Sequence, residues 1–280
     1  MPTPRQTALA DLSPGLDSPL NAALAGRDGS VLDMVSRSLT SGDTLLAFQP
    51  IMAARPPHGV AFYEGLIRVL DETGRVIPAR DFMPAIEDSE LGREIDVAAL
   101  QLGLRTLVKN PTIRLSINMS ARSIGYKTWK GTLDRFLRKH PTVGERLVLE
   151  ITESSAMTVP EIVIDFMNDL QTRGIGFALD DFGSGMTAFR YFKDFYFDAV
   201  KIDGQFVRGV HSDPDNQVLT RALVAIAQQF DMFTVAESVE QGADAEFLVS
   251  IGVDCLQGYL YGAPTVRPPW LPESKVRATA

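Results

Sequence analysis

Short apolar runs alternate with longer segments of helical period along most of this chain. Eight runs from Leu45 onward have the length of strands, and apolar residues recur at helical spacing in segments such as 91–102 and 219–230. Eight strands alternating with helices predict an α/β fold, a (β/α)8 TIM-type barrel rather than an open sheet. The predicted strands are Leu45–Ile51, Val60–Leu66, Ile113–Asn118, Leu147–Thr152, Gly176–Asp180, Ala199–Ile202, Phe233–Glu237 and Val253–Gln257.

The two ends of the chain differ in composition from this alternating region. Residues 1–29 are rich in Pro, Ala, Ser and Gly, which predicts a loosely ordered N-terminal arm, with a short helix following over Val31–Leu39. We expect the barrel to span residues 30–268 and a C-terminal tail to occupy residues 269–280.

Polar side chains stand near the ends of seven of the predicted strands. Alternation along Leu147–Thr152 puts Glu150 on the face opposite Leu149 and Ile151, and the same parity holds for the other strands that can be compared. In a parallel barrel such groups converge at the C-terminal mouth, where barrel enzymes carry out their chemistry. The seven are Glu64, Asn118, Glu150, Asp180, Lys201, Glu237 and Gln257.

Each of these residues also has an ordinary structural interpretation. A single acid after a strand is more often a helix N-cap, and Asp180-Asp181 could simply form a polar turn before Gly183. Seven polar residues at the same end of the barrel are harder to explain in this way. Crowded carboxylates repel one another, and the desolvation of each costs on the order of several kcal/mol. Divalent metal ions would compensate this charge.

The kinds of ligand indicate which metals and which reaction. Carboxylate and amide oxygens, without clustered His or Cys, suit Mg²⁺ or Mn²⁺ rather than structural zinc. Two ions that share a carboxylate can clamp a displacement at phosphorus, and Asp180-Asp181 is a natural pair for this role. Lys201 adds a positive group that could orient water or stabilise developing charge. The residues therefore predict a metal-dependent phosphoester hydrolase and leave its substrate open.

Charge and cysteine content exclude several classes of partner and environment. Formal net charge is −8 over 280 residues, which argues against a nucleic-acid duplex or an anionic membrane as the main partner. The single cysteine, Cys255, excludes an internal disulfide and is typical of a reducing cytoplasm, where we expect the protein to reside. We see neither a run of apolar residues long enough for a transmembrane helix nor a secretion-signal pattern.

A set of ordered motifs resembles the EAL-domain family over about Leu45 to Pro264. Any one tripeptide would be weak evidence, but their order and spacing together are specific. The motifs are Phe48-Gln49-Pro50-Ile51, Glu64-Gly65-Leu66-Ile67-Arg68, Phe82-Met83-Pro84-Ala85-Ile86-Glu87, Asn118-Met119-Ser120, Glu150-Ile151-Thr152-Glu153, Asp180-Asp181-Phe182-Gly183, Lys201-Ile202-Asp203, Ala236-Glu237-Ser238-Val239-Glu240 and Gln257-Gly258-Tyr259.

The resemblance implies a barrel whose first strand is antiparallel, and hydrolysis of cyclic di-GMP to linear pGpG with two Mg²⁺ or Mn²⁺ ions. It implies a metal-ligand set made up of Glu64, Asn118, Glu150, Asp180, Asp181 and Glu237. It implies catalytic roles for Lys201, Glu237, Asp181 and Glu153, of which Glu153 would brace the loop after Asp181. It implies substrate contacts by Gln49, Arg68, Asp203 and Gln257.

Two departures from the family pattern concern Gly65 and the loop 182–189. Gly65 replaces the signature alanine, and we expect alanine there to be neutral or mildly stabilising. The resemblance implies that this loop is a dimer-coupled switch, and the loop differs here from the family pattern at Ser184 and from Met186 to Ala188.

Two other functions stay open, a non-catalytic cyclic di-GMP receptor and a protein-binding adaptor on the same scaffold. The family also implies a homodimer, for which an aromatic stretch is a candidate surface, with ordinary helix packing as the alternative. The stretch contains Phe189, Tyr191, Phe192, Phe195, Tyr196 and Phe197.

Overall fold

Nine strands and nine α-helices are arranged as a barrel in the computed structural model, which describes residues 19–185 and 192–271. The strands are β1 Thr44–Ala53, β2 Val60–Leu70, β3 Val76–Pro78, β4 Leu115–Asn118, β5 Leu147–Thr152, β6 Gly176–Phe182, β7 Ala199–Ile202, β8 Phe233–Ala236 and β9 Cys255–Leu256. The helices are α1 Pro19–Ser41, α2 Met83–Ile86, α3 Glu90–Lys109, α4 Lys127–Lys139, α5 Glu153–Thr158, α6 Pro160–Gln171, α7 Gly204–Val207, α8 Pro214–Gln229 and α9 Gly242–Ser250. Short 3-10 turns cover Ala79–Asp81, Ala121–Ser123, Pro141–Arg146 and Val210–Ser212.

Eight of the strands close into a ring, which confirms the predicted barrel. Parallel pairing runs from β2 through β4, β5, β6, β7 and β8 to β9. β1 closes the ring by pairing antiparallel with both β2 and β9. The link 54–59 between β1 and β2 is short, and a short link permits an antiparallel hairpin, whereas a parallel pair needs a crossover of about a dozen residues.

The short strand β3 was not predicted from the sequence. It pairs antiparallel with the last residues of β2, on the edge that β4 occupies earlier along the strand. Its core is a single buried apolar residue, Ile77, and so short a run carries little periodic signal.

The N-terminal boundary differs from the prediction. α1 begins at Pro19, so residues 19–29 belong to a helix rather than to a loosely ordered arm. Proline suits the first position of a helix, and the Leu- and Ala-rich run 20–25 has high helix propensity. Residues 1–18 lie outside the described part of the chain.

The C-terminal boundary also lies further along than predicted. The Trp270 ring packs edge-on against Phe48 and Tyr63, with ring centroids 4.9 and 5.5 Å away. Thr265 pairs with Phe48 through two backbone hydrogen bonds. The start of the predicted tail therefore packs on the barrel, whereas residues 272–280 lie outside the described ranges.

Outward-facing apolar side chains join the strands to their helices. Ile117, Leu149 and Leu179 are buried in the main hydrophobic core, while polar neighbours such as Glu150 face the barrel interior. This confirms the period-two argument for the central strands. None of the described helices is long and apolar enough to cross a membrane.

Candidate active site at the barrel mouth

One lysine lies at the centre of the polar cluster at the C-terminal mouth. Lys201, on β7, is 1% exposed, and its Nζ atom forms ion pairs with four acids. The distances are 3.3 Å to Glu64 Oε2, 2.9 Å to Glu150 Oε2, 3.1 Å to Asp180 Oδ1 and 2.6 Å to Glu237 Oε1. These acids come from β2, β5, β6 and the residue after β8, so the predicted convergence of strand ends is observed.

Amides extend the cluster around Glu64. Asn118 Nδ2 donates to Glu64 Oε1 at 2.7 Å, and Gln257 Nε2 donates to Glu64 Oε2 at 2.6 Å. Gln257 Nε2 also donates to Gln49 Oε1. The Nε2 atom of Gln49 in turn donates to the Gly262 carbonyl. The structure thus brings Gln49 into the site by way of Gln257.

Asp180 and Asp181 both reach the mouth because β6 is irregular there. The pairing of β6 with β7 shifts register between Leu179 and Phe182, as expected for a bulge, and Asp181 adopts a left-handed backbone with φ 57°. Aspartate tolerates this conformation better than most residues. Carboxylate oxygens of Asp180, Asp181 and Glu237 lie within 4.8 Å of one another. The bulge therefore turns two successive side chains toward one site, where regular alternation would direct only one.

The excess of acids over bases is visible in the pKa values. Burial, with the nearby charges of Asp180 and Glu64, raises the pKa of Glu237 to about 8 even though Lys201 acts in the opposite direction. Burial and the charge of Asp180 raise the pKa of Asp181 to about 6. Burial and the charge of Glu64 hold the pKa of Glu150 well above its usual range.

Glu64 and Lys201 show the opposite balance. Burial alone would raise the pKa of Glu64, but the Lys201 ammonium and the hydrogen bonds from Gln257 and Asn118 bring that pKa below its ordinary value. Burial alone would lower the pKa of Lys201, but the surrounding carboxylates hold that pKa well above its usual range. Lys201 is therefore an ammonium at neutral pH.

Three of the predicted residues lie around the cluster rather than in contact with Lys201. Glu153 Oε2 accepts a hydrogen bond from the Gly183 N–H at 2.9 Å, directly after the Asp180-Asp181 pair. Asp203 accepts from the Gln205 N–H and so caps α7, the ordinary role considered above for acids after strands. Arg68 lies on β2 beyond Glu64 and donates to the Ile67 carbonyl; burial lowers its pKa, and the charge of Glu64 partly offsets this.

A cavity of about 750 Å³, a size typical of small-molecule sites, is lined by residues of β2, β4, α3 and α5. Its wall includes Asn118, which donates a hydrogen bond to Glu64, but none of the four acids around Lys201. Other lining residues are Gly65, Leu66, Met83, Ile95, Met119, Ser120 and Thr152.

Asp96, on α3, is a cavity residue that sequence reasoning missed. It is buried and accepts hydrogen bonds from the Ser120 N–H and the Ser123 hydroxyl, and burial raises its pKa to about 6. The available signal was an acid within the buried stripe of α3, beside Ile95 and Ala99.

The donor set fits hard divalent cations. No described residue donates a hydrogen bond to the buried Glu150 Oε1 atom, and three carboxylates converge at Asp180, Asp181 and Glu237. Oxygen ligands of this kind suit Mg²⁺ or Mn²⁺.

A family model described as the EAL domain matches residues 32–264 of this chain. The chain belongs to the EAL-domain family. Among curated relatives it is 29% identical over 239 residues to the cyclic di-GMP phosphodiesterase PdeF of Escherichia coli, covering 84% of this chain and 32% of the relative. It is also 29% identical over 240 residues to the bifunctional diguanylate cyclase/cyclic di-GMP phosphodiesterase MucR of Pseudomonas aeruginosa, covering 84% and 35%. The chain spans about a third of the length of these relatives.

Solved EAL structures superpose on most of this barrel. A MucR phosphodiesterase in complex with c-di-GMP gives a TM-score of 0.75 at 27% identity, covering 84% of this chain and 97% of that one. The FimX EAL domain of Pseudomonas aeruginosa, bound to c-di-GMP, gives a TM-score of 0.77 at 24% identity, covering 85% and 97%, and bears on the fold alone.

Three of the four described residues of the aromatic stretch are buried rather than exposed. Phe192, Phe195 and Phe197 are buried in the core, and Tyr196 is exposed. Phe189 and Tyr191 lie outside the described residues, as does the part of the 182–189 loop after Gly185. The ordinary packing alternative holds for the three buried rings.

Proposed function

We propose that this EAL domain hydrolyses cyclic di-GMP to linear pGpG at the barrel mouth, with two Mg²⁺ or Mn²⁺ ions. The observation that supports it most is the set of four acids that converge around Lys201 at the barrel mouth. The names of the relatives, cyclic di-GMP phosphodiesterases, supply the substrate.

The metal ligands in this proposal are the converging oxygens. Glu64, Asn118, Glu150 and Asp180 would hold one ion, and Asp180, Asp181 and Glu237 the other. When bound, such ions would polarise the phosphate and make a water more acidic.

The protein's own groups would handle charge and protons. A water oxygen forms a bond to phosphorus, the bond from phosphorus to the 3′ oxygen breaks, and the leaving oxygen takes up a proton. The Glu237 carboxylate would accept the proton of the attacking water, since it lies at the mouth beside the Lys201 ammonium and the Asp180-Asp181 pair. The Lys201 ammonium would orient the water and offset negative charge that builds up on the phosphate.

Substrate binding in this proposal involves residues at the rim. Arg68 would pair with a phosphate, while Gln49 and Gln257 would fix the position of Glu64 through their hydrogen-bond chain. Asp203 would contact substrate from the edge of α7, close to Asp181, whose pKa its charge helps to raise. Glu153 would act by holding Gly183 rather than by touching substrate.

Chromatography of cyclic di-GMP after incubation with the protein tests this proposal. We expect pGpG to appear with Mg²⁺ or Mn²⁺ and not with chelator. Asp169→Asn, which removes an exposed acid paired with Lys130, is the matched control and should cleave normally. Uncleaved but bound nucleotide would indicate a receptor, and absence of binding would indicate an adaptor.

A homodimer in the cytoplasm completes the proposal. Val218 and Leu219 on α8 are 68% and 48% exposed. Ala222 and Ala225, one and two turns further along the helix, are also exposed. Such a face is typical of an interface. Light scattering should give a dimer mass for the wild type and a monomer mass for Val218→Lys/Leu219→Lys. The cytoplasmic location is supported by Cys255, a single buried thiol.

A further inference from the structure

One ammonium group connects four separate parts of the barrel. The Nζ atom of Lys201 lies 2.6–3.3 Å from oxygens of acids on β2, β5 and β6 and just after β8. Lys201 and Glu150 are almost completely buried, so solvent screens these charges little. Without an internal cation, carboxylates this close would repel one another.

The same acids would have to serve the metal ions. Glu64, Glu150, Asp180 and Glu237 each direct one oxygen to Lys201, and all four belong to the proposed ligand set. An oxygen that accepts from the ammonium is less available to another cation. In addition, a fixed positive charge a few ångströms from a divalent ion repels it.

We propose that Lys201 is a built-in counter-ion that holds the four acids together and competes with the divalent ions for them. It thereby stabilises the metal-free barrel and lowers the affinity of the site for metal. This inference rests on the proposed metal site. Lys201 would thus set how strongly the occupancy of the site depends on metal concentration. This role is separate from any contact with the attacking water.

Two simpler roles for Lys201 lead to different results. If its side chain only fills space, an apolar side chain of similar length should leave stability and metal affinity nearly unchanged. If it only orients the attacking water, metal affinity should again stay unchanged. A counter-ion alone predicts opposite effects, with stability lost in chelator and affinity gained for metal.

The experiment compares wild type, Lys201→Met and the control Lys130→Met. Lys130 is an exposed lysine that pairs with Asp169 at 3.4 Å. Its replacement therefore removes the same charge from the protein surface rather than from a buried site. Melting temperature is measured in chelator and with Mn²⁺, and Mn²⁺ affinity is measured by calorimetry without nucleotide.

We expect Lys201→Met to melt lower in chelator by about 5 °C or more. We expect it to bind Mn²⁺ at least about tenfold more tightly than wild type. Lys130→Met should match wild type in both. If Lys201→Met folds only with Mn²⁺, circular dichroism during a metal titration reports the same coupling and supports the inference.

The inference is overturned if the wild type binds Mn²⁺ and Lys201→Met binds it equally or more weakly, whatever its melting temperature. If the wild type binds no Mn²⁺ at all, the proposed metal site fails as well, so the two failures are distinguishable.

Discussion

The Cδ1 atom of Ile117 lies 2.7 Å from the point where the Cβ atom of an alanine at position 65 would stand. Ile117 is buried between β2 and α3, and it would meet a Cβ atom at Gly103 at 2.8 Å as well. In this chain, therefore, the Ile117 side chain fills the space beside two glycines. An alanine at position 65 would require the end of the Ile117 side chain to shift.

Gly65→Ala should destabilise the barrel by about 1 kcal/mol, because the buried Cδ1 end of Ile117 must shift to make room for the new Cβ atom. This revises the expectation, drawn from sequence, that alanine would be neutral or mildly stabilising. Ile117→Val removes the clashing atom and should cost about 0.5–1.5 kcal/mol by itself. In urea unfolding, the double variant should lose less unfolding free energy than the two single variants lose together. Simple additivity would contradict the contact.

Asp180→Asn should lower the rate of cleavage at least about 100-fold. Asp180 pairs with Lys201 at 3.1 Å and belongs to both proposed ligand sets, and loss even of groups that only orient ligands costs about 10–100-fold. The rate of pGpG release in Mn²⁺ measures this, with Asp169→Asn as the control. A near wild-type rate would argue against two metals sharing Asp180.

The pH dependence of stability should reverse sign when metal is added. The folded-state pKa values of Asp181 and Glu237, about 6 and about 8, lie above their ordinary values, so between about pH 4 and pH 8 the folded state holds more protons than the unfolded state. In chelator, the extra protons bound by the folded state stabilise it at low pH. This stabilisation is lost as the pH rises through about 6 to 8.

With Mn²⁺ the trend should be opposite, because protons and metal compete for the same carboxylates and metal binds more tightly as pH rises. Melting curves from pH 5.5 to 8.5, with and without Mn²⁺, measure both slopes. Parallel slopes would show that these acids do not bind the metal.

Glu153→Ala should weaken the segment after Asp181. Glu153 Oε2 accepts from the Gly183 N–H, and loss of a buried hydrogen bond to a charged group costs about 1.5–3 kcal/mol. We expect lower thermal stability and slower cleavage. Glu161→Ala, on an exposed first turn of α6, is the matched control and should change neither. Normal cleavage in Glu153→Ala would remove the bracing role.

Calcium should bind at the site and inhibit cleavage. The proposed ligands are all oxygens, but Ca²⁺ prefers distances of about 2.3–2.6 Å, against about 2.0–2.1 Å for Mg²⁺. A misplacement of about 1 Å in attack geometry can cost about 100-fold in rate. Cleavage in Mg²⁺ should therefore fall as Ca²⁺ is added, while cyclic di-GMP still binds in Ca²⁺ alone. Undiminished cleavage in excess Ca²⁺ would refute the argument.

Which side chains share the barrel interior follows from the sequence pattern alone. Side chains on a strand alternate with a period of two, so the positions of Glu150 and Lys201 relative to their apolar neighbours follow from the local pattern. The polar strand ends at Glu64, Glu150 and Glu237 could be predicted for the same reason. The short link 54–59 also carried a usable signal for the reversed first strand, although the reversal was inferred from family resemblance.

How these groups meet depends on the three-dimensional packing of the barrel. Asp181 reaches the site because of a bulge that depends on how β6 pairs with β7, and strict alternation would have turned its side chain away. The four contacts of Lys201 require the closed ring, because their partners are distant in sequence. The fit of Ile117 against Gly65 and Gly103 likewise depends on atomic packing between β2, β4 and α3. Local patterns specify the face on which a residue lies, whereas distances between strands are set by the packing of the whole barrel.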